Sequence, residues 1–209
     1  MRIEVGTGEH KKNFTIHKQL LSEKAPVFDK MFNGGFQEAE TKTASLPEDE
    51  TYAFEGFVEW LYRGTIPTVA IHEMIELLGV SHFASKYLLN ELQDRALTKF
   101  IQMTTLHKLL PQLQHIAKYC ALTTETSKLR LYLVRTAAWI ILNFGESETS
   151  GSWSTVQFGE IFKEDPILMV DVLKAIRGTG QLNQKFTDPK AAPKCDYHQH
   201  EKVDACPYD

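Results

Sequence analysis

No stretch of the 209-residue chain approaches the ~18 consecutive apolar residues of a membrane-crossing helix, so none is expected to span a bilayer. The start, Met1-Arg2-Ile3-Glu4-Val5-Gly6, has no apolar core of the kind a secretory signal requires. Basic residues are not in excess: 23 Lys and Arg face 27 Asp and Glu, for a formal net charge of −4 and a pI near 6.1. That balance has the wrong sign for a coat on nucleic-acid phosphates. Cysteine is scarce and odd in number, three in all, which points to a reducing compartment, the cytosol or nucleus. The common catalytic motifs are also missing. Gly6-Thr7-Gly8 and Gly178-Thr179-Gly180 lack the Lys-Ser/Thr of a phosphate loop, and neither a Gly-x-Ser-x-Gly elbow nor a His-Glu-x-x-His helix occurs. Catalysis is not expected.

What is present is ordinary for a globular protein, 43% hydrophobic and 24% charged, at a length that suits one domain or one and a half. Ile3 and Val5, then Phe14 and Ile16, alternate with polar residues on either side of a Gly/Asn-rich segment, which predicts a β-hairpin. Lys18 to Phe32 reads as helix, interrupted where Pro26 opens a second short one and stopped by Asn33-Gly34-Gly35. Thr41 to Leu46 is a short β-compatible piece. Glu48-Asp49-Glu50 then suits an acidic first helical turn, ahead of the stripe Phe54, Phe57, Val58, Leu61 and Tyr62, with Gly64 and Pro67 as the stop.

Apolar periodicity from Ile71 to Phe100 predicts two or three further helices. Leu109 to Ala117, Leu129 to Ile140, Phe158 to Phe162 and Ile167 to Ile176 predict four more, the last opened by Asp165-Pro166. Gly145 to Thr155 reads as a surface loop. Gln181 to Asp209 is polar with little to bury, so little regular structure is expected there. Cys120, between Tyr119 and Ala121, reads as a small buried hydrophobe. His72, His82, His107 and His115 have no acid or cysteine at ligand spacing and are assigned no site.

Four segments carry a resemblance. Phe14-Thr15-Ile16-His17-Lys18-Gln19-Leu20-Leu21-Ser22 resembles the "F-x-V-H-K-x-x-L" strand-to-helix corner of BTB/POZ domains. Pro26-Val27-Phe28 through Met31-Phe32 to Phe36-Gln37-Glu38 is similar to that family's "S-x-x-F…M…F-x-E" segment. Ala44 to Asp49 resembles its "i-x-L-p-e-d" strand, and Phe54 to Ile66 its "F-e-x-f-l-x-W-L-Y-t-G-x-i" helix. The match runs in register and continues to Phe100. Ser127 to Val134 and the helices around it resemble the helical extension of filamentous-fungal BTB proteins. The resemblance implies an α+β fold, a small β-sheet capped by helices, followed by an all-helical extension. The expected divisions are a BTB/POZ domain over 1–100, the extension over 101–180, and a polar tail with a Cys/His cluster over 181–209. Family members usually have a further segment before the first strand. A shortened N-terminus is therefore expected, and dimerisation by strand exchange is not.

The resemblance implies a non-catalytic protein-interaction module, homodimeric in some members, and concretely a substrate adaptor for a cullin-RING ubiquitin ligase. In adaptors a hydrophobic-x-Glu element meets the cullin's N-terminal helices, and Phe36-Gln37-Glu38 stands at that position. The blander alternative packs Phe36 on its own domain and leaves Glu38 solvated. Seven acidic residues and one lysine between Phe36 and Glu59 favour a basic partner face or simply a solvated one. His17 is implied to be a structural, hydrogen-bonded corner residue. A transcription- or chromatin-associated scaffold without direct DNA binding is the rival function. With no Kelch or MATH segment in view, any recruited substrate is expected to dock on the extension or tail.

Four of the eleven histidines and cysteines fall in the last fifteen positions: Cys195, His198, His200 and Cys206. Cys-x2-His lets a tight turn aim two donors at one point, and the thiolate and imidazole set suits tetrahedral zinc. Four protein ligands would leave no open position, so such a zinc is structural. A disulfide or redox pair, and a tail in which the residues cluster without function, stay open beside it.

Overall fold

The computed structural model describes residues 1–66, 69–145, 153–180, 186–200 and 206–208. Pro67, most of the Gly145–Thr155 loop, and residues 181–185, 201–205 and 209 of the tail lie outside them. The chain divides into two compact units, Met1–Lys99 with Tyr208, and Phe100–Pro207 with Asp209.

In the first unit the predicted hairpin forms: β1 (Arg2–Val5) and β2 (Lys12–Thr15) pair antiparallel, Ile3 opposite Phe14. The third strand, β3 (Thr43–Leu46), adds parallel to β1 with Ile3 opposite Ala44, giving the order β2-β1-β3. Ile3, Val5, Ala44 and Leu46 point to one buried face, as period-2 alternation requires. Helices α1 (Lys18–Lys24) and α2 (Pro26–Asn33) meet at Pro26, which occupies the first turn of α2. The segment before β3 holds a helix the periodicity did not predict, α3 (Gln37–Thr41).

Helix α4 (Thr51–Arg63) ends at Gly64, whose φ of +70° is left-handed and suits glycine. Two expectations need correction here. Glu48-Asp49-Glu50 precedes the helix instead of forming its first turn, and Asp49 is buried. Trp60 is on the buried face, while Tyr62, read as part of the stripe, is 44% exposed. After a 3-10 turn at Ile71–Glu73 come α5 (Glu76–Lys86) and α6 (Asn90–Leu106), and the division between units falls within α6. The core is an aromatic cluster. Phe28 stacks on Phe57 at 5.3 Å and on Tyr87 at 4.8 Å, and Phe83 packs on Tyr87 at 4.6 Å.

The second unit is built around α8 (Lys128–Asn143), which buries Leu129, Tyr132, Leu133, Ala137 and Ile140. Ser127 caps it, the hydroxyl accepting from the Arg130 amide. Around it lie α7 (Leu113–Ala121), α9 (Thr155–Glu164) with a Ser154/Gln157 capping box, and α10 (Pro166–Gly180). Asp165 accepts from the Leu168 amide at 2.9 Å, so the Asp165-Pro166 start of α10 forms as read. Over its described part the tail does not have little to bury: Pro189 is buried, and Tyr197 and His198 are 1% and 2% exposed. Two 3-10 turns, Pro189–Ala191 and Lys194–Tyr197, carry it.

Candidate functional site

Phe36 stands in extended conformation directly before α3 and is 60% exposed, its ring edge lying against the Gly34 backbone, where a Cβ would come within 3.1 Å of it. It does not join the core, and its contact with Gly34 leaves most of the ring exposed. Glu38, in the first turn of α3, is half-buried. The acidic count of this region overstates the charge a partner meets. Asp49 pairs with Lys86, Glu55 with Lys12 at 2.8 Å, and Glu59 with Arg63 at 3.0 Å.

His17 is at the strand-to-helix corner, immediately before α1. Its amide donates to the Tyr62 hydroxyl at 3.2 Å, and its Nδ1 is 2.7 Å from the same oxygen. The Tyr62 hydroxyl thus accepts from the His17 amide and shares a hydrogen bond with the His17 ring. That pairing ties the corner to the end of α4, the positioning role read from the sequence.

The tail brings its predicted ligands together. Cys195, His198, His200 and Cys206 each offer a ligand atom, all within 4.8 Å of one another, and theirs is the one such group of His, Cys, Asp or Glu among the described residues. His198 Nδ1 is 3.0 Å from His200 Nε2, and Cys206 Sγ is 3.5 Å from the first and 3.8 Å from the second. Metal–ligand bonds of about 2.0–2.3 Å place tetrahedral neighbours about 3.3–3.8 Å apart; the two Cys206 distances fall in that range, the His198–His200 distance is a few tenths of an ångström shorter, and the whole set lies within 4.8 Å. The donor set, two sulfurs and two imidazoles, belongs to the borderline-soft class.

Three polar constellations were not anticipated. Asp49 receives the Lys86 ammonium on both oxygens at 3.0 Å and the Tyr87 hydroxyl at 2.7 Å, and burial followed by the Asp49 carboxylate pushes the Tyr87 pKa well above 10.0. In the second unit Arg130 donates through Nε to Asp171 at 2.9 Å and through Nη1 to the Cys120 carbonyl. Tyr197 lies edge-to-face on Tyr132 at 5.2 Å. For Arg130 a signal existed, a cation between Leu129 and Leu133 on an apolar helix. The other two join residues far apart in sequence, which periodicity does not connect. Cys120 is fully buried, and burial pushes its thiol up to about 12. The remaining histidines join no such group among the described residues; His115 is shifted below its ordinary value by burial and then Lys118. Among the described residues no helix is long and apolar enough to cross a membrane.

Comparison with known proteins matches the N-terminal half of the chain to a family. The BTB/POZ domain model matches residues 2–104. Kelch repeat and BTB domain-containing protein 4 of Homo sapiens is 27% identical over 120 residues, 54% of this chain and 22% of that protein. Its namesakes in Mus musculus and Pongo abelii match at the same identity over the same length. The chain spans less than a quarter of the length of these relatives.

Proposed function

Residues 2–104 are a BTB/POZ domain, and from that premise we propose that the chain is a non-catalytic protein-interaction module that docks a cullin scaffold as a ubiquitin-ligase adaptor. The observation that carries the proposal is Phe36, a large apolar side chain 60% exposed at the entry to α3, with Glu38 two residues beyond it. An apolar anchor beside a carboxylate is what a partner helix with a pocket and a basic or amide group would grip. The module works as a homodimer in a reducing compartment, cytosol or nucleus, where thiols stay reduced. The test is a pull-down of the full chain with a cullin N-terminal domain, comparing Phe36→Ala and Glu38→Ala. Phe36→Ala is expected to weaken binding about tenfold or more, as truncating a central anchor does. Undiminished binding by both variants removes the site. Full-strength binding to chromatin-associated partners, with none to cullin, would favour the transcription- or chromatin-associated scaffold. Light scattering decides the dimer.

A second reading concerns the tail and rests on the tetrad distances. Cys195, His198, His200 and Cys206 hold one structural zinc, with all four positions filled by protein. Both cysteines bind as thiolates, their protons passing to solvent.

A further inference from the structure

The tail segment 186–200 is attached to α8 by few apolar contacts and several charged ones. Tyr197 sets its ring edge on Tyr132, and the Arg135 guanidinium lies 5.7 Å over the Tyr197 ring. The Lys128 ammonium donates to the Asp196 carbonyl at 3.2 Å, and Lys190 donates to the Leu109 carbonyl at 3.4 Å. Pro189 and Tyr197 are the buried apolar side chains of this segment. Ordering fifteen residues costs backbone entropy, and Pro189 and Tyr197 are the apolar side chains the segment buries against that cost. Metal at the tetrad is a candidate for a further tie.

The tetrad is at the C-terminal end of that segment, and its most buried ligand, His198, directly follows Tyr197. The same segment supplies one wall of a cavity of about 670 Å³, through Phe186, Pro189 and Tyr197, opposite Arg130 and Val134 of α8 and Asp171 of α10. We infer that metal at the tetrad is the clasp that folds 186–200 onto α8 and so closes this wall. The inference rests on the zinc reading of the tetrad given above. Coordination fixes His198 and thereby the adjoining Tyr197 ring on Tyr132; binding energy becomes folding energy because the four donors do not converge in a loose chain.

The experiment uses the full chain, purified without chelator. Zinc content is measured, and amide hydrogen exchange across 186–200 is followed before EDTA treatment, after it, and after zinc is returned. The expected result is one zinc per chain, with exchange in 186–200 rising about tenfold or more on removal and recovering on return. Cobalt loading gives an independent readout. Strong visible bands and a sulfur-to-metal charge-transfer band are expected in the parent chain, and loss of the charge-transfer band in the Cys195→Ser/Cys206→Ser double variant. Zinc near zero with no cobalt bands overturns the zinc reading, and the clasp with it. One zinc per chain with exchange unmoved by its removal overturns the clasp alone and leaves the site standing. In Tyr197→Ala the metal content is expected to persist and exchange to rise less than in the metal-free parent. Exchange as fast as in the metal-free parent, with zinc still bound, would make the tyrosine the clasp.

Discussion

Asp49 shows at the scale of one residue how burial of one partner gives weight to both ends of an ion pair. Its side chain is 7% exposed and accepts three hydrogen bonds, whereas Lys86 is 36% exposed. Asp49→Ala leaves the buried Tyr87 hydroxyl without its acceptor and the ammonium without its counter-charge. It is expected to cost about 2–4 kcal/mol in urea denaturation. Lys86→Met leaves the Asp49 carboxylate, 7% exposed, without its counter-charge and is likewise expected to cost about 2–4 kcal/mol. No loss in either variant would mean that the pair stabilises nothing. Cys120 makes a second test. Burial raises its pKa from 9.0 to about 12, so the folded state favours the neutral thiol. The folded-state value lies above the unfolded one. The thiol's contribution to stability is therefore full below pH 9.0 and is lost as pH climbs toward 12. At pH 8 in the native chain, alkylation followed by mass spectrometry should leave Cys120 unmodified, while Cys195 and Cys206 react once metal is stripped.

Between elements, the tightest requirement is at the crossing of α4 and α5. A Cβ on Gly56 would come 2.7 Å from Val80 Cγ2, and Val80 is a stiff, buried, β-branched side chain. Alanine would add about 1 kcal/mol of helix propensity, but forcing the helices apart costs about 1–3 kcal/mol, so Gly56→Ala should destabilise on balance. The same substitution should cost less in a Val80→Ala background, a coupling that a double-mutant cycle of unfolding free energies reads directly. This crossing also marks how far the sequence was legible. Strands β1 and β2, the break at Pro26, and helices α8 to α10 were readable because alternation, a proline and apolar stripes are local signals. Helix α3 was not, because Gln37-Glu38-Ala39-Glu40-Thr41 has no apolar stripe to mark it. The tetrad was readable from spacing alone, since its ligands are close along the chain. The burial of the tail was not, because one tyrosine against Tyr132 does what composition assigned to no residue.

The whole molecule holds two units, each with its own core, and the proposed metal belongs to the second. That distribution makes a prediction neither unit makes alone. Trp60 reports on the first unit, and Trp139 and Trp153 on the second. In Trp60→Phe the fluorescence transition in urea follows the second unit; in a Trp139→Phe/Trp153→Phe chain it follows the first. A ligand that binds only the folded form stabilises it by about 2.7 kcal/mol at a free concentration of 100 times its Kd. With a denaturant slope of about 1–3 kcal/mol/M, that corresponds to a midpoint shift of about 1–3 M urea. Chelation is therefore expected to lower the midpoint of Trp60→Phe by about this much and to leave that of Trp139→Phe/Trp153→Phe in place. Equal shifts in both would mean that the metal's stabilisation is not confined to the unit that holds its ligands. No shift in either would mean that the tetrad stabilises nothing, because a metal held by four residues of the folded chain and by none of the unfolded one must move the equilibrium.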